Sequence, residues 1–134
     1  MAFLPQNFDD GKTIDMPAAA ATYTKGQALV YASGNVSTAA QNQNMEVPFV
    51  SMEGKVIATT GDPLKCIITR GVRFLADCAA NPAQTDCNTE CDLGSATTLT
   101  AAANTDNLFY IEKVIMPLAD KKVIGYFKHE NPNS

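Results

Sequence analysis

Residues 64–76, LKCIITRGVRFLA, hold the densest run of apolar side chains in the chain, and their spacing is that of a strand. Leu64, Cys66 and Ile68 recur at period two, and Val72, Phe74 and Ala76 do so again beyond Arg70 and Gly71. Each set therefore falls on one face of an extended backbone, and the segment belongs to a β core. Gly71 divides it. Because glycine takes positive φ at no steric cost, the division is either a tight turn between two short strands or a bulge inside one long strand.

The turn signals around this stretch repeat at short intervals. Upstream, strands are expected at 27–32, 36–39, 46–52 and 55–60, separated by Ser33-Gly34-Asn35 and Glu53-Gly54 and closed by Gly61-Asp62-Pro63. Downstream, 95–101, 107–116 and 122–128 read as closing strands, with Tyr126 and Phe127 on opposite faces of the last. Such spacing predicts an all-β fold, a single compact β-barrel or sandwich of short antiparallel strands. Residues 1–22 carry Pro5, Asp9-Asp10-Gly11 and Pro17 among isolated large apolar residues. They read either as an extended N-terminal arm or as a first strand at 12–16 with a frayed end. Residues 77–93 are polar and rich in turn formers, hold three of the four cysteines, and are expected to form a surface loop excursion between the strands of 23–76 and 94–128. A weak internal duplication aligns Thr38-Ala39-Ala40 with Thr100-Ala101-Ala102, Val47-Pro48-Phe49-Val50 with Leu108-Phe109-Tyr110-Ile111, and Lys55-Val56-Ile57 with Lys122-Val123-Ile124.

At 134 residues the chain fits one domain, 1–134, with room for one core. Hydrophobic residues make up 46%, but much of that is alanine, tryptophan is absent and aromatics are 7%. The core should be thin, and neighbours or an oligomer should add to its stability. The net charge of −4 and the scattered basic residues argue against nucleic-acid binding. No apolar run reaches the ~20 residues of a membrane span, and no basic region precedes a hydrophobic one at the N-terminus. The expectation is a soluble protein made in the cytoplasm.

The inventory of reactive groups is sparse. His129 is the single histidine and stands beside Glu130 near the C-terminus, where nothing holds it as a general base. The carboxylates sit singly in loops, and neither GxxxxGK[ST] nor GxGxxG occurs. No catalytic residue, cofactor or metal site is expected, and the reading is of a protein that is not an enzyme. The cysteine spacings lack the paired knuckles of a zinc site. Bridging among Cys78, Cys87 and Cys91 within the loop, in a particle released to an oxidising exterior, stands beside the alternative that all four are free thiols. Cys66 is too far from Cys78 in either geometry of Gly71 to pair with it, and should stay a buried thiol.

Tyr23-Thr24-Lys25-Gly26-Gln27-Ala28-Leu29-Val30, the Ser33-Gly34-Asn35-Val36 turn, Val47-Pro48-Phe49-Val50 and Cys66-Ile67-Ile68-Thr69-Arg70-Gly71-Val72 together resemble the small decoration, or cement, proteins of tailed bacteriophage heads. The likeness covers residues 23–76 well and 94–128 loosely. It implies a structural virion protein that binds the outer surface of a phage capsid, as a homotrimer or other homo-oligomer, and stabilises contacts between major capsid protein subunits. The 77–93 segment and the arm depart from the pattern. Phe3, Leu4 and Phe8 are large apolar residues in a stretch that cannot close its own core, so they are expected to bury against a capsid subunit or a neighbouring copy. A rival expectation is a head-surface or fibre domain that binds a host glycan or receptor through exposed aromatics, for which Tyr23, Tyr31 and Tyr110 are the candidates.

Overall fold

A computed structural model of the chain describes residues 3–6, 13–40, 46–101 and 106–128. Over these residues the protein is all-β. In chain order the strands are β1 (Phe3–Pro5), β2 (Thr13–Pro17), β3 (Ala21–Tyr23), β4 (Ala28–Ala32), β5 (Asn35–Thr38), β6 (Phe49–Ser51), β7 (Lys55–Ile57), β8 (Pro63–Ile68), β9 (Phe74–Asp77), β10 (Thr89–Leu93), β11 (Leu99–Thr100), β12 (Phe109–Val114) and β13 (Lys122–Phe127). They form a five-stranded sheet, β2-β8-β6-β4-β5, a six-stranded sheet, β1-β9-β13-β12-β10-β11, and a separate β3–β7 pair.

The two larger sheets are wound alike. Leaving out β1 and the β3–β7 pair, each is built from five strands in which the first, fifth, fourth, second and third in chain order lie side by side. Each also curls until its ends meet. After β2, Ala18 makes a parallel bridge to Val36 of β5, and the Ala19 N–H donates to the Val36 carbonyl at 2.9 Å. After β9, Cys78 makes a parallel bridge to Leu99 of β11, and the Ala79 N–H donates to the Leu99 carbonyl at 2.9 Å. Two of the sequence correspondences fall on matching strands: Thr38 ends β5 as Thr100 ends β11, and 47–50 and 108–111 run into β6 and β12, the second one residue out of register. The third does not. Lys55–Ile57 is the β7 strand paired with β3, whereas 122–124 opens β13, whose counterpart is β8.

Strand periodicity explains which faces turn inward. In β13, Val123, Gly125 and Phe127 are buried while Lys122, Ile124 and Tyr126 are partly exposed, the alternation of a sheet with one covered face. The division at Gly71 is neither a hairpin nor a bulge. The Val72 N–H donates to the Thr69 carbonyl at 3.1 Å and Gly71 takes φ 79°, as the third residue of a type II turn does. Pairing between β8 and β9 does not occur, because this turn carries the chain from one sheet to the other.

The buried apolar residues divide into two clusters rather than the one core expected from length. The larger draws Ala28, Val30, Val50 and Ile67 from the five-stranded sheet together with Phe74, Phe109, Ile111 and Val123 from the six-stranded one. The smaller, with Tyr23, Leu29, Val36, Ile57, Leu64 and Cys66, fills the curl of the five-stranded sheet under the β3–β7 pair.

At the N-terminus, the segment read as an extended arm or a first strand is built into both sheets. β1 pairs with β9, Phe3 opposite Ala76 and Pro5 opposite Phe74, and β2 pairs with β8 from Thr13–Ile67 to Pro17–Pro63. The strand reading of this region therefore holds over 13–17. The 77–93 excursion is likewise shorter than expected: after a 3-10 turn at Gln84–Asp86, residues from Thr89 form β10 inside the six-stranded sheet.

Candidate binding groove

Phe3 is 1% exposed and sits in its own chain's core, with ring centroids 4.9 Å from Phe127, 6.1 Å from Phe109 and 6.5 Å from Phe74. It is a core residue of its own chain, because β1 lies along the edge of β9 and points this ring inward. Leu4 is half-buried opposite Leu75. Phe8, like His129, lies outside the described residues.

All four cysteines are free thiols in this structure. Cys78 and Cys91 belong to the larger core cluster, Cys91 on β10 opposite Phe109, and Cys87 packs against that cluster with its Sγ donating to the Glu112 carbonyl at 3.0 Å. Cys66 is fully buried in β8. Burial, with the charges of Asp15 and Glu53 adding to it, pushes the Cys66 thiol up to about 12. Burial also pushes Cys78 up to about 11, with Asp86 and Asp77 adding and Lys122 opposing. Cys91 is raised as well, by burial first and by Cys78 next. Thiols held protonated in this way are poor nucleophiles and poor metal ligands.

Of the three aromatic candidates, Tyr23 is buried at 1% exposure and its hydroxyl donates to the Ala19 carbonyl at 2.7 Å, which makes it a support for the seam after β2. Tyr31 is 45% exposed on β4, edge-on to Phe49. Tyr110 is the one set among charged groups. It stands opposite Tyr126 on β13 and Glu90 on β10, a row across three strands on the solvent face of the six-stranded sheet. The two tyrosine rings stack with centroids 5.3 Å apart and planes 29° from parallel, and the Tyr110 hydroxyl donates to Asn88 Oδ1 at 3.1 Å.

Two ion pairs flank the tyrosines. Arg73, just after the Gly71 turn, grips Glu112 with both arms, Nε to Oε1 at 2.6 Å and Nη2 to Oε2 at 3.1 Å. Its hydrogen bond to Glu112 raises the guanidinium further above its usual range and keeps it charged. Lys128 pairs with Glu90 at the other end. Glu112 shares the solvent face of β12 with Tyr110 by ordinary alternation, two residues along. The β12–β13 register shifts between Ile111 and Lys113, and the extra residue there turns Lys113 outward as well and returns Val114 to the core. Opposite lies Gly125, where an added Cβ would fall 1.9 Å from the Tyr110 carbonyl oxygen. Only a glycine lets the two strands approach this closely. The two tyrosines and the two ion pairs line a groove of about 700 Å³.

Tyr110 was visible as a candidate from its place in an aromatic strand. Tyr126, Glu112, Arg73, Lys128 and Glu90 were not, since they come from four separate segments that only the strand order brings together. Comparison with protein-family models, with curated proteins and with solved structures returns no match.

Proposed function

We propose that this chain is a structural virion protein, without enzymatic activity, that binds the outer surface of a phage capsid as a homotrimer or other homo-oligomer and braces contacts between major capsid subunits. The reading starts from the resemblance of residues 23–76 to head decoration proteins. The observation that carries it is the edge of β2. In the six-stranded sheet the corresponding strand, β9, is paired with β13 on one side and covered by β1 on the other. Among the described residues, β2 is paired with β8 on one side, its other side is met by β5 only at the end, through the Ala18–Val36 bridge, and Ile14 at its centre is 41% exposed. An uncovered strand edge with an exposed aliphatic residue is suited to strand addition by a neighbouring polypeptide, which supplies backbone hydrogen bonds and buries the side chain.

The test adds purified protein to expanded capsids that lack it and follows co-sedimentation and the temperature of genome release. Binding should raise the release temperature, since a ligand present at a thousandfold excess over its dissociation constant stabilises by about 4 kcal/mol. Ile14→Lys should lower occupancy while leaving the unfolding midpoint of the free protein in place. Equal release temperatures for decorated and bare particles would remove the proposal.

A further inference from the structure

We propose that the Tyr110–Tyr126 groove is a binding site for a neutral carbohydrate, with the tyrosines as the stacking platform and the two ion pairs as hydroxyl-recognising ends. The inference rests on the groove alone and stands whether or not the protein decorates a capsid.

The first argument is the lining. A pyranose ring has an apolar C–H face and an equatorial rim of hydroxyls, so its site needs a flat aromatic surface beside groups that both donate and accept. Tyrosine offers that surface at small conformational cost and adds a polar tip. Here strand register stacks the two tyrosine rings on each other, and the Tyr110 hydroxyl is fixed by Asn88. A side chain already held in one geometry loses little freedom when a ligand arrives.

The second argument is charge. The groove is lined by the cations Arg70, Arg73 and Lys128 and by the carboxylates Glu90 and Glu112. Arg73 is committed to Glu112 and Lys128 to Glu90. A phosphate or polyanion entering here would meet two carboxylates, and a cationic peptide would meet three cations. To engage Arg73, Lys128, Glu90 or Glu112, either would have to part an existing charge-assisted pair. A hydroxyl does not. It donates to a carboxylate oxygen and accepts from a guanidinium or ammonium hydrogen while the pair stays in place, so vicinal hydroxyls use both members at once.

The experiment uses the full chain in solution and reads tyrosine emission, which is clean because the protein has four tyrosines and no tryptophan. The probes are hexasaccharides of glucose, N-acetylglucosamine, galactose and mannose, with a heparin hexasaccharide as the polyanionic control. At least one neutral probe should give saturable quenching with a dissociation constant of about 1 mM or tighter. Tyr126→Ala and Glu112→Gln should each weaken that affinity about tenfold or more, and Tyr31→Ala should leave it unchanged. Should Tyr126→Ala not fold, Arg73→Gln, whose side chain is 52% exposed, serves in its place. No quenching by any neutral probe at about 10 mM overturns the proposal. So does binding that survives loss of both Tyr126 and Glu112, or tighter, salt-dependent binding of the heparin fragment, which would make the groove an anion site.

Discussion

Gly125 is the residue on which the groove and the core both depend. A methyl group placed there would meet the Tyr110 carbonyl oxygen at 1.9 Å and Phe109 Cε1 at 2.7 Å. The first of these is backbone, so β12 itself would have to move. Gly125→Ala should therefore destabilise the protein by about 1 to 3 kcal/mol, read as a lower urea midpoint, although the same exchange helps many proteins through the unfolded state. Gly54, whose nearest such contact is Tyr23 O at 3.7 Å, provides the comparison and should tolerate alanine. The sequence showed Gly125 as a glycine inside an apolar strand and no more, because the reason for it lies on β12, a different segment. Cys91 and Asp92 were hidden for another reason. Thr89, Glu90 and Asp92 make their strand look polar, yet Asp92 is 1% exposed and accepts hydrogen bonds from the Asp106 and Asn107 N–H groups at 2.7 Å each. A carboxylate satisfied by backbone donors can be buried, and composition does not reveal which one will be.

β1 shows how three residues can decide the standing of an element. Its pairing with β9 is short, but Phe3 reaches three other phenylalanines, and its N–H donates to the Gly26 carbonyl at 3.0 Å in the connection before β4. Removing residues 1–6 should accordingly destabilise the free protein, by about 3 to 5 kcal/mol if the loss follows that of a buried phenylalanine. Calorimetry of the truncated chain checks this: an unchanged melting temperature would restore Phe3 to the role of an external contact. Period-two spacing located β4, β8, β12 and β13 to within a few residues, since those strands have one clearly apolar face. It could not place β1, where the only deeply buried side chain is Phe3. Nor did it separate the hairpin and bulge alternatives at Gly71, since both assumed that β8 and β9 belong to one sheet.

At the level of the whole molecule, the all-β class was legible from the density of turn signals, and part of the repeated winding from the Thr-Ala-Ala and aromatic-strand correspondences. The strand partners were not, because β1 joins β9 and β2 joins β8 across long stretches of chain, and local patterning carries no record of distant pairing. The shared core between the sheets further ties together two halves that the repeat alone would have suggested were separable. The two seams have a dynamic consequence. Among the described residues, each curled sheet is closed by one parallel bridge, Ala18–Val36 or Cys78–Leu99, where its neighbouring strands are joined by ladders. A closure that narrow can part without disturbing the ladders, so the Ala19 and Ala79 amides should exchange with deuterium well before those of β12 and β13, at matched rates set by local opening rather than by global unfolding. Protection at Ala19 and Ala79 equal to that of the ladder amides would show instead that both sheets are sealed as firmly as they are paired. If the seams do open first, the molecule has two related lips through which each curled sheet can widen while its strand order persists.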